Sequence, residues 1–453
     1  LGGHVWHNAD LLEEINYLVE YPTPLYGRID DEFLKLPVPA VVTPMRDHQR
    51  YYPVRNEDGS LMPYFLTVRN GGTKALENVQ HGNEKVLRAR LDDAKFFFEN
   101  DRKKTLEGHR DDLTRINYQE GMGDMRDKAD RLQKLTEAIG KDWGFTAEEA
   151  ADADRAAFLS KSDLATGMVT EFTELQGEMG KEYALLDGEK PEVAKAIFEQ
   201  YMPRFAGDIL PQQEIGRALS LADKLDNLAA TFLRGLIPTG SQDPFALRRQ
   251  TIGAVNILTD GKIHWDIRRG IEAALALLPG DEETKKTVLS QIEDFFRQRI
   301  KAIMLDEGIA YDIIDAVLAG PVDDIYALFL KARSMAESQL KDEAELRQAV
   351  TRLANITKGK TGGKVDPSLF TEDVEKKLQD AFEAVSAKAL PLFASYEYGK
   401  ALPALKELTA PINDYLDNVM VMVDDEAVKN NRISQLLATL ALFNTWGDFS
   451  KLV

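Results

Sequence analysis

The chain has 453 residues, of which 44% are hydrophobic and 29% are charged, and its net charge at pH 7 is −19. This length predicts about two to four domains, and the composition is typical of a globular protein rather than a disordered or fibrous one. The sequence holds no run of about 18 uncharged apolar residues and no cysteine, which excludes a transmembrane helix, disulfides, thiol catalysis and cysteine-ligated zinc.

The first 75 residues combine helical and β patterns. The sequence starts LGGHVWHNAD, without an initiator methionine or a signal-peptide pattern, as expected for a cut made inside a longer protein. Two β-rich segments, 50–54 and 62–68, flank Asn56–Gly59, which is typical of a hairpin turn. Four apolar residues upstream recur at helical spacing: Leu11, Leu12, Ile15 and Leu18. An α+β N-terminal part is therefore predicted.

From Asn83 onward the pattern is helical. The acidic, alanine-rich stretch 140–157 suggests a domain boundary, and apolar residues between Ile215 and Phe232 recur at spacings of three and four, which predicts one long amphipathic helix. A glycine- and proline-rich loop ends that helix. Asp243 is then predicted to cap the next helix, with Pro244 in its first turn.

The last third of the chain is also helical. A loop with the sequence TKGKTGGK, residues 357–364, separates two helical regions and is expected to be mobile. Two apolar segments, 415–423 and 433–443, are predicted to be helices.

Tests for catalytic chemistry give no catalytic residue and no metal site. None of the 6 histidines lies in a His-Glu-x-x-His pattern, and the loop GKTGGK lacks the first glycine and the final Ser or Thr of a phosphate-binding loop. Neither synthetase class signature occurs in the sequence. Asp223 and Asp226 share one helix face, and a solvated or salt-bridged face is preferred here over a cation site.

One basic stretch stands out because the chain as a whole would repel a polyanion such as RNA. No Asp or Glu lies between Arg347 and Lys364. Two interpretations stay open, a strip that follows an RNA backbone and a solvated linker. Lys429 and Arg432, at the start of the last apolar helix, serve either as helix-end polar residues or as RNA contacts. The candidate RNA-binding residues are Arg347, Arg352, Lys358, Lys360, Lys364, Lys429 and Arg432.

Two motifs, PTGSQDPFALRR at Pro238–Arg249 and MVTEFTELQGEMG at Met168–Gly180, carry a family resemblance. With them, in order along the chain, occur Leu18–Pro22, Phe33–Pro37, His48–Tyr52, Gly82–Leu91 and Ala222–Asp226. This ordered set resembles the beta subunit of bacterial heterotetrameric glycyl-tRNA synthetases.

The resemblance implies a division of labour between two chains. The aminoacylation site, with its ATP and Mg²⁺, would lie on a separate alpha subunit, and this chain would carry no cofactor of its own. The implied partners are the alpha subunit, in an alpha2beta2 assembly, and tRNA(Gly), with no membrane. The implied location is the cytoplasm.

The resemblance also implies that the middle of the chain is similar to HD phosphohydrolases. A working HD site holds metal with a His, a His-Asp pair and a distant Asp. This chain has no histidine between His109 and His264, and Lys161-Ser162-Asp163 stands in place of the His-Asp pair, with Asp223 as the remnant of the final Asp. Carboxylates without imidazoles bind transition metals poorly, so neither metal nor hydrolase activity is predicted.

The predicted fold is mainly α and multidomain. Its parts are an α+β segment of an incomplete N-terminal tRNA-interacting domain (1–80), a helical linker (81–150), a degenerate HD-like helical domain without metal ligands (151–260), a helical body (261–340) and a C-terminal helical bundle of the anticodon-binding type (341–453). The predicted function is that of a tRNA-binding synthetase subunit. The alternatives are an HD-type metal-dependent phosphohydrolase and a non-catalytic helical scaffold.

Overall fold

The computed structural model describes residues 2–240 and 242–453, and the chain divides into two compact units. The first unit comprises residues up to 230 together with 273–279, and the second comprises 231–272 and 280–453. The finer division into five parts stays a prediction.

A small antiparallel sheet opens the first unit. Its strands are β1 (His4–Val5), β2 (Pro22–Arg28), β3 (Tyr52–Arg55) and β4 (Leu61–Asn70), in the order β1-β3-β4-β2. The predicted hairpin is confirmed, because Asn56 N donates to Ser60 O at 2.9 Å and Gly59 takes the positive φ of 86° that the turn requires. Helix α1 (Ala9–Leu18) packs Leu11 and Ile15 against the sheet residue Tyr52.

The rest of the first unit is helical. Its next helices are α2 (Val38–Thr43), α3 (Leu76–Asp101), α4 (Leu106–Arg110), α5 (Met125–Trp143), α6 (Ala147–Leu159), α7 (Gly167–Glu171), α8 (Glu178–Leu186) and α9 (Pro191–Glu199). The acidic stretch 140–157 lies within α5 and α6, which pack against each other. Both helices begin with a capping box, formed by Asp124 and Asp127 in α5 and by Thr146 and Glu149 in α6.

Helix α10 (Glu214–Leu233) confirms the long helix predicted between Ile215 and Phe232. The predicted start of the next helix is wrong, because α11 (Leu247–Asp260) begins three residues after Pro244. Asp243 nevertheless accepts hydrogen bonds from the backbone N of Leu247 and Arg248, as a capping residue does. Helix α12 spans Ile267–Ala276.

The second unit continues with eight helices and no strand among its described residues. They are α13 (Glu282–Asp306), α14 (Tyr311–Val317), α15 (Ile325–Glu337), α16 (Ala344–Thr357), α17 (Asp373–Ala394), α18 (Leu402–Lys406), α19 (Thr409–Asn418) and α20 (Glu426–Asn444). Helix α16 packs against α19 and α20. The buried Trp446 donates its indole N–H to Ser334 Oγ of α15 at 3.0 Å. The mainly α, multidomain prediction is confirmed.

The helix predicted over 415–423 is wrong in its second half. Helix α19 ends at Asn418, and the following residues alternate between buried and exposed: Val419 is 6% exposed, Met420 73%, Val421 7% and Met422 48%. A period of two is that of extended backbone. Because every residue from 419 to 423 is apolar, composition alone concealed that period. In the described part of the chain, no helix is long and apolar enough to cross a membrane.

Candidate functional site

A buried charge cluster, which we define as Lys128, Arg131, Lys161, Asp223 and Asp226, lies where α5 faces α10 in the first unit. Lys128 Nζ lies 2.9 Å from an oxygen of Asp223 and 2.9 Å from an oxygen of Asp226. Arg131 holds Asp226 through its Nε at 2.7 Å and its Nη2 at 3.2 Å. All five side chains are buried. The two carboxylates at i and i+3 are therefore salt-bridged rather than solvated.

The fifth member, Lys161, reaches the cluster from a strained position. Its φ of 66° lies in the left-handed region, and its ammonium lies 2.9 Å from the second oxygen of Asp223 and 4.0 Å from the centre of the Tyr201 ring. A cation from the Lys161-Ser162-Asp163 triplet thus contacts the carboxylate of Asp223 directly.

Electrostatics favours full ionisation of Asp223. Burial by itself would raise the pKa of Asp223, but the adjacent ammonium groups of Lys128 and Lys161 outweigh that effect and hold the pKa below its usual range. The same carboxylates raise the pKa of Lys128 despite its burial. The cluster is an ion-paired network of three basic and two acidic side chains, and the space around Asp223 is taken by protein cations.

Asp163, the acidic residue of the Lys161-Ser162-Asp163 triplet, points elsewhere. Its carboxylate accepts hydrogen bonds from the backbone N of Gly177 at 2.7 Å and from the Tyr201 hydroxyl at 3.1 Å, and burial raises its pKa. Among the residues that the structure describes, no group of three or more His, Asp or Glu side chains is placed to hold a metal ion. This arrangement can stabilise a helix pair, and it offers a metal few ligands.

The predicted basic stretch lies on the second unit and divides into two kinds of residue. Arg347 is half-buried and donates to the carbonyl oxygens of Lys341 and Leu452, which is a packing role. Arg352 is exposed and pairs with Asp417 at 2.6 Å. These two arginines are therefore partly satisfied by the protein itself.

The three lysines of the stretch form no ion pair among the described residues, although Lys364 lies near enough to Asp366 for its charge to act on that carboxylate. Lys358 and Lys364 are exposed, and Lys360 is half-buried with its Nζ 3.7 Å from Met422 Sδ. They lie on the segment 358–366, which we call the basic loop. The structure thus brings three predicted cations together at one surface.

Helix α20 holds the basic loop in place. Gly363 N donates to Ser434 Oγ at 2.8 Å, and Asn431 both accepts from Asp366 N at 2.7 Å and donates to Asp366 O at 3.0 Å. A Cβ on Gly362 would lie 2.9 Å from Leu437 Cδ1 and 3.2 Å from Ser434 Cα, so a larger residue there would force the Leu437 side chain to move.

The structure corrects the placement of Arg432. The Arg432 side chain is 4% exposed, and its guanidinium pairs with the fully buried Glu375 at 3.0 Å. The guanidinium also donates hydrogen bonds to the Thr371 hydroxyl and to the carbonyl of Met420. Arg432 therefore packs α20 against α17 rather than facing a ligand. Lys429 is half-buried and pairs with Glu426 one turn earlier.

Sequence reasoning missed an apolar neighbour of the basic loop. Met420 and Met422 are exposed, and Met422 lies beside Lys360. The signal that could have found them was the strict alternation of valine and methionine at 419–423, which is typical of extended backbone with one outward face.

The helical C-terminal bundle and its basic loop define the class of this region. Residues 346–447 match the family described as DALR anticodon binding domain. Residues 1–319 match the family described as glycyl-tRNA synthetase beta subunit, and the chain belongs to that family.

Curated relatives named as glycine–tRNA ligase beta subunits align with nearly the whole of this chain. A glycine–tRNA ligase beta subunit of Clostridioides difficile is 46% identical over 454 aligned positions, covering 100% of this chain and 66% of the relative. Those of Desulforamulus reducens and Shouchella clausii are each 43% identical, covering 100% and 98% of this chain and 66% and 65% of the relatives. The chain thus spans slightly less than two thirds of the length of these relatives.

Proposed function

We propose that this chain is the tRNA-binding part of a glycine–tRNA ligase, and that it supports ATP-dependent attachment of glycine to tRNA(Gly). The observation that carries the proposal is the basic loop, with Lys358, Lys360 and Lys364 gathered on a DALR-type bundle in a chain whose net charge is −19. Unpaired ammonium groups can replace the counterions of an RNA backbone, which makes binding favourable and dependent on salt.

The proposed partners follow from the family name. Glycine activation, with ATP and Mg²⁺, belongs in this proposal to an alpha subunit, and an alpha2beta2 assembly joins the two chains. No catalytic residue is assigned to this chain. A role in translation would place the assembly in the cytoplasm.

The test removes the cations of the basic loop. We expect the triple variant Lys358→Ala, Lys360→Ala, Lys364→Ala, assayed with the alpha subunit, to bind tRNA(Gly) more weakly. The plot of log affinity against log salt should also become shallower by about 0.7–0.9 for each phosphate that the variant no longer neutralises. Affinity is measured by filter binding at four or more salt concentrations.

A matched control removes the same charge from the same unit. Lys388, Lys400 and Lys406 each pair with a glutamate, respectively Glu407, Glu397 and Glu343. Their triple alanine variant should leave the salt slope unchanged. An unchanged slope in the basic-loop variant would refute the assignment of the RNA contact to this loop.

A further inference from the structure

The motif at Pro238–Arg249 is not used by the basic loop or by the charge cluster. Its described residues turn before α11: Gly240 takes a φ of 54°, and the Asp243 carboxylate accepts from the backbone N of Leu247 at 2.8 Å and of Arg248 at 2.9 Å. The Arg248 guanidinium then donates to Gly240 O at 2.6 Å. The turn therefore sets the position of a single arginine side chain.

A second arginine approaches from the neighbouring helix. Helix α13 packs against α11, and Arg299 of α13 lies 3.9 Å from the centre of the Phe295 ring one turn earlier. Its only other contacts in the described chain are to the Gln298 side chain at 2.9 Å and the Phe295 carbonyl at 3.4 Å. Burial, and then the charge of Arg248, lowers the pKa of Arg299, so Arg248 is near enough for the two cations to repel each other.

Carboxylates do not relieve this repulsion. Within residues 2–240 and 242–453, neither Arg248 nor Arg299 forms an ion pair. Asp243 is the one carboxylate whose charge reaches Arg299, and its oxygens already accept two backbone N–H groups. Two guanidinium groups that repel each other without a counter-ion are costly unless an anion joins them.

Another arginine of the same unit provides a direct comparison. Arg333 lies over Phe329 four residues earlier, as Arg299 lies over Phe295, but Arg333 forms a two-pronged pair with Glu307 at 2.8 and 3.0 Å. The spacing of arginine and phenylalanine is thus the same at both places, although Arg333 lies 5.4 Å from its ring centre and Arg299 lies 3.9 Å from its own. What distinguishes Arg299 is the missing carboxylate and the presence of Arg248.

The surroundings of the pair are basic and aromatic. Arg249 is exposed beside Arg248, and the Phe245 side chain of the same turn is 36% exposed. We propose that these four residues, Phe245, Arg248, Arg249 and Arg299, which we call the arginine surface, bind a phosphodiester group of the tRNA. The planar guanidinium fork matches the oxygens of a phosphate, and an exposed aromatic ring can stack on an unpaired base. This inference rests on the proposed tRNA-binding function and adds a second contact to the basic loop.

The experiment neutralises the pair and keeps the rest of the assembly. We expect the double variant Arg248→Gln, Arg299→Gln, assayed as the complex with the alpha subunit, to bind tRNA(Gly) about tenfold more weakly, with a salt slope shallower by about one per arginine. Hydroxyl-radical footprinting of the bound tRNA should show weaker protection at nucleotides other than those affected by the basic-loop variant. The control Arg268→Gln, Arg333→Gln removes two carboxylate-paired arginines of the same unit and should change neither result.

A second variant distinguishes a failure to fold from a failure to bind. Arg299→Gln alone touches no group of the 238–249 turn, so it should keep the thermal unfolding midpoint and still weaken binding about threefold, with a salt slope shallower by about one. If the basic-loop variant weakens tRNA binding while both arginine variants bind normally, the arginine surface is refuted and the proposed function stands. If the arginine variants instead release the alpha subunit with tRNA affinity unchanged, the surface binds a protein and the inference is wrong. If the unaltered complex does not bind tRNA, both proposals fall.

Discussion

Lys161 decides what the buried charge cluster can do. Its ammonium contacts Asp223 directly and occupies one side of the carboxylate to which a metal ion would have to bind. The sequence showed the triplet Lys161-Ser162-Asp163 where the family resemblance implies a His-Asp pair. It could not show that Lys128, about one hundred residues before Asp223, occupies the other side of the same carboxylate, because that contact depends on how α5 and α10 pack.

A second buried lysine, Lys224, predicts a pH-dependent stability. Its ammonium donates to Met202 O and to Ser220 Oγ, both at 2.7 Å, and burial lowers its pKa to about 7. Unfolded lysine keeps its proton up to about pH 10.4, so between these values the unfolded state binds the extra proton. The free energy of unfolding should therefore rise with pH across this window, by at most about 1.4 kcal/mol per pH unit from this group.

The substitution Lys224→Met tests this prediction. The variant should lack this contribution, so that its stability relative to the parent is greatest near pH 6.5 and declines by pH 9.5, as measured by urea unfolding at several pH values. Met202 O keeps its hydrogen bond from Ser220 in the variant. Lys134→Met, at an exposed position, serves as the control. Parallel stability curves for Lys224→Met and its parent would contradict the assignment.

Among the elements, the basic loop shows that a segment rich in glycine and lysine can be held in place by contacts with a distant helix. Its glycines and lysines predicted a mobile connection, yet α20 contacts it through Ser434 and Asn431 and approaches Gly362 closely. These contacts join positions about 65–70 residues apart. No local pattern in the loop indicates them, whereas the turn of the β3–β4 hairpin was predictable because its hydrogen bonds lie within five residues.

Asn431→Ala should release the loop from α20. The variant leaves the backbone N–H and C=O of Asp366 without their side-chain partner, which costs about 1–3 kcal/mol of local stability where such groups are shielded from water. We expect trypsin to cleave after Lys358, Lys360 and Lys364 at least several-fold faster in the native protein, with tRNA binding weakened in parallel.

The neighbouring residue provides the control for this element. Asn430 is exposed, and Ser434 Oγ donates a hydrogen bond to its backbone carbonyl, which alanine would keep. Asn430→Ala should therefore be cleaved at the parental rate. Equal cleavage of both variants would show that Asn431 does not restrain the loop.

For the molecule as a whole, sequence patterns predicted the helices and strands better than the contacts between them. The α+β start, the long helix α10 and the helical last third follow from local periodicity. The contacts of Arg432 with Glu375 and of Arg248 with Gly240 O do not follow from local periodicity. The sequence pattern is equally compatible with either arginine facing solvent. For this reason the sequence could select candidate RNA contacts by charge alone, and one of them, Arg432, is buried in the structure.

The choice between a binding protein and a hydrolase also belongs to the whole molecule, and metal analysis tests it. Because Lys128 and Lys161 already neutralise Asp223, we expect the chain to bind no manganese or iron after incubation with either metal and extensive dialysis. Added metal should leave the thermal unfolding midpoint unchanged, since a ligand stabilises a protein only by binding its folded state.

Variants of Asp223 separate structure from metal binding. Asp223→Ala leaves the buried ammonium of Lys161 without its carboxylate partner and leaves Lys128 with Asp226 alone, which should destabilise the first unit by about 3–5 kcal/mol, while metal content stays at background. Stoichiometric manganese or iron in the parent chain, absent from Asp223→Ala and accompanied by phosphatase activity, would contradict the binding role assigned here and favour the hydrolase. Lys134→Ala, an exposed change on α5, controls for nonspecific metal adsorption.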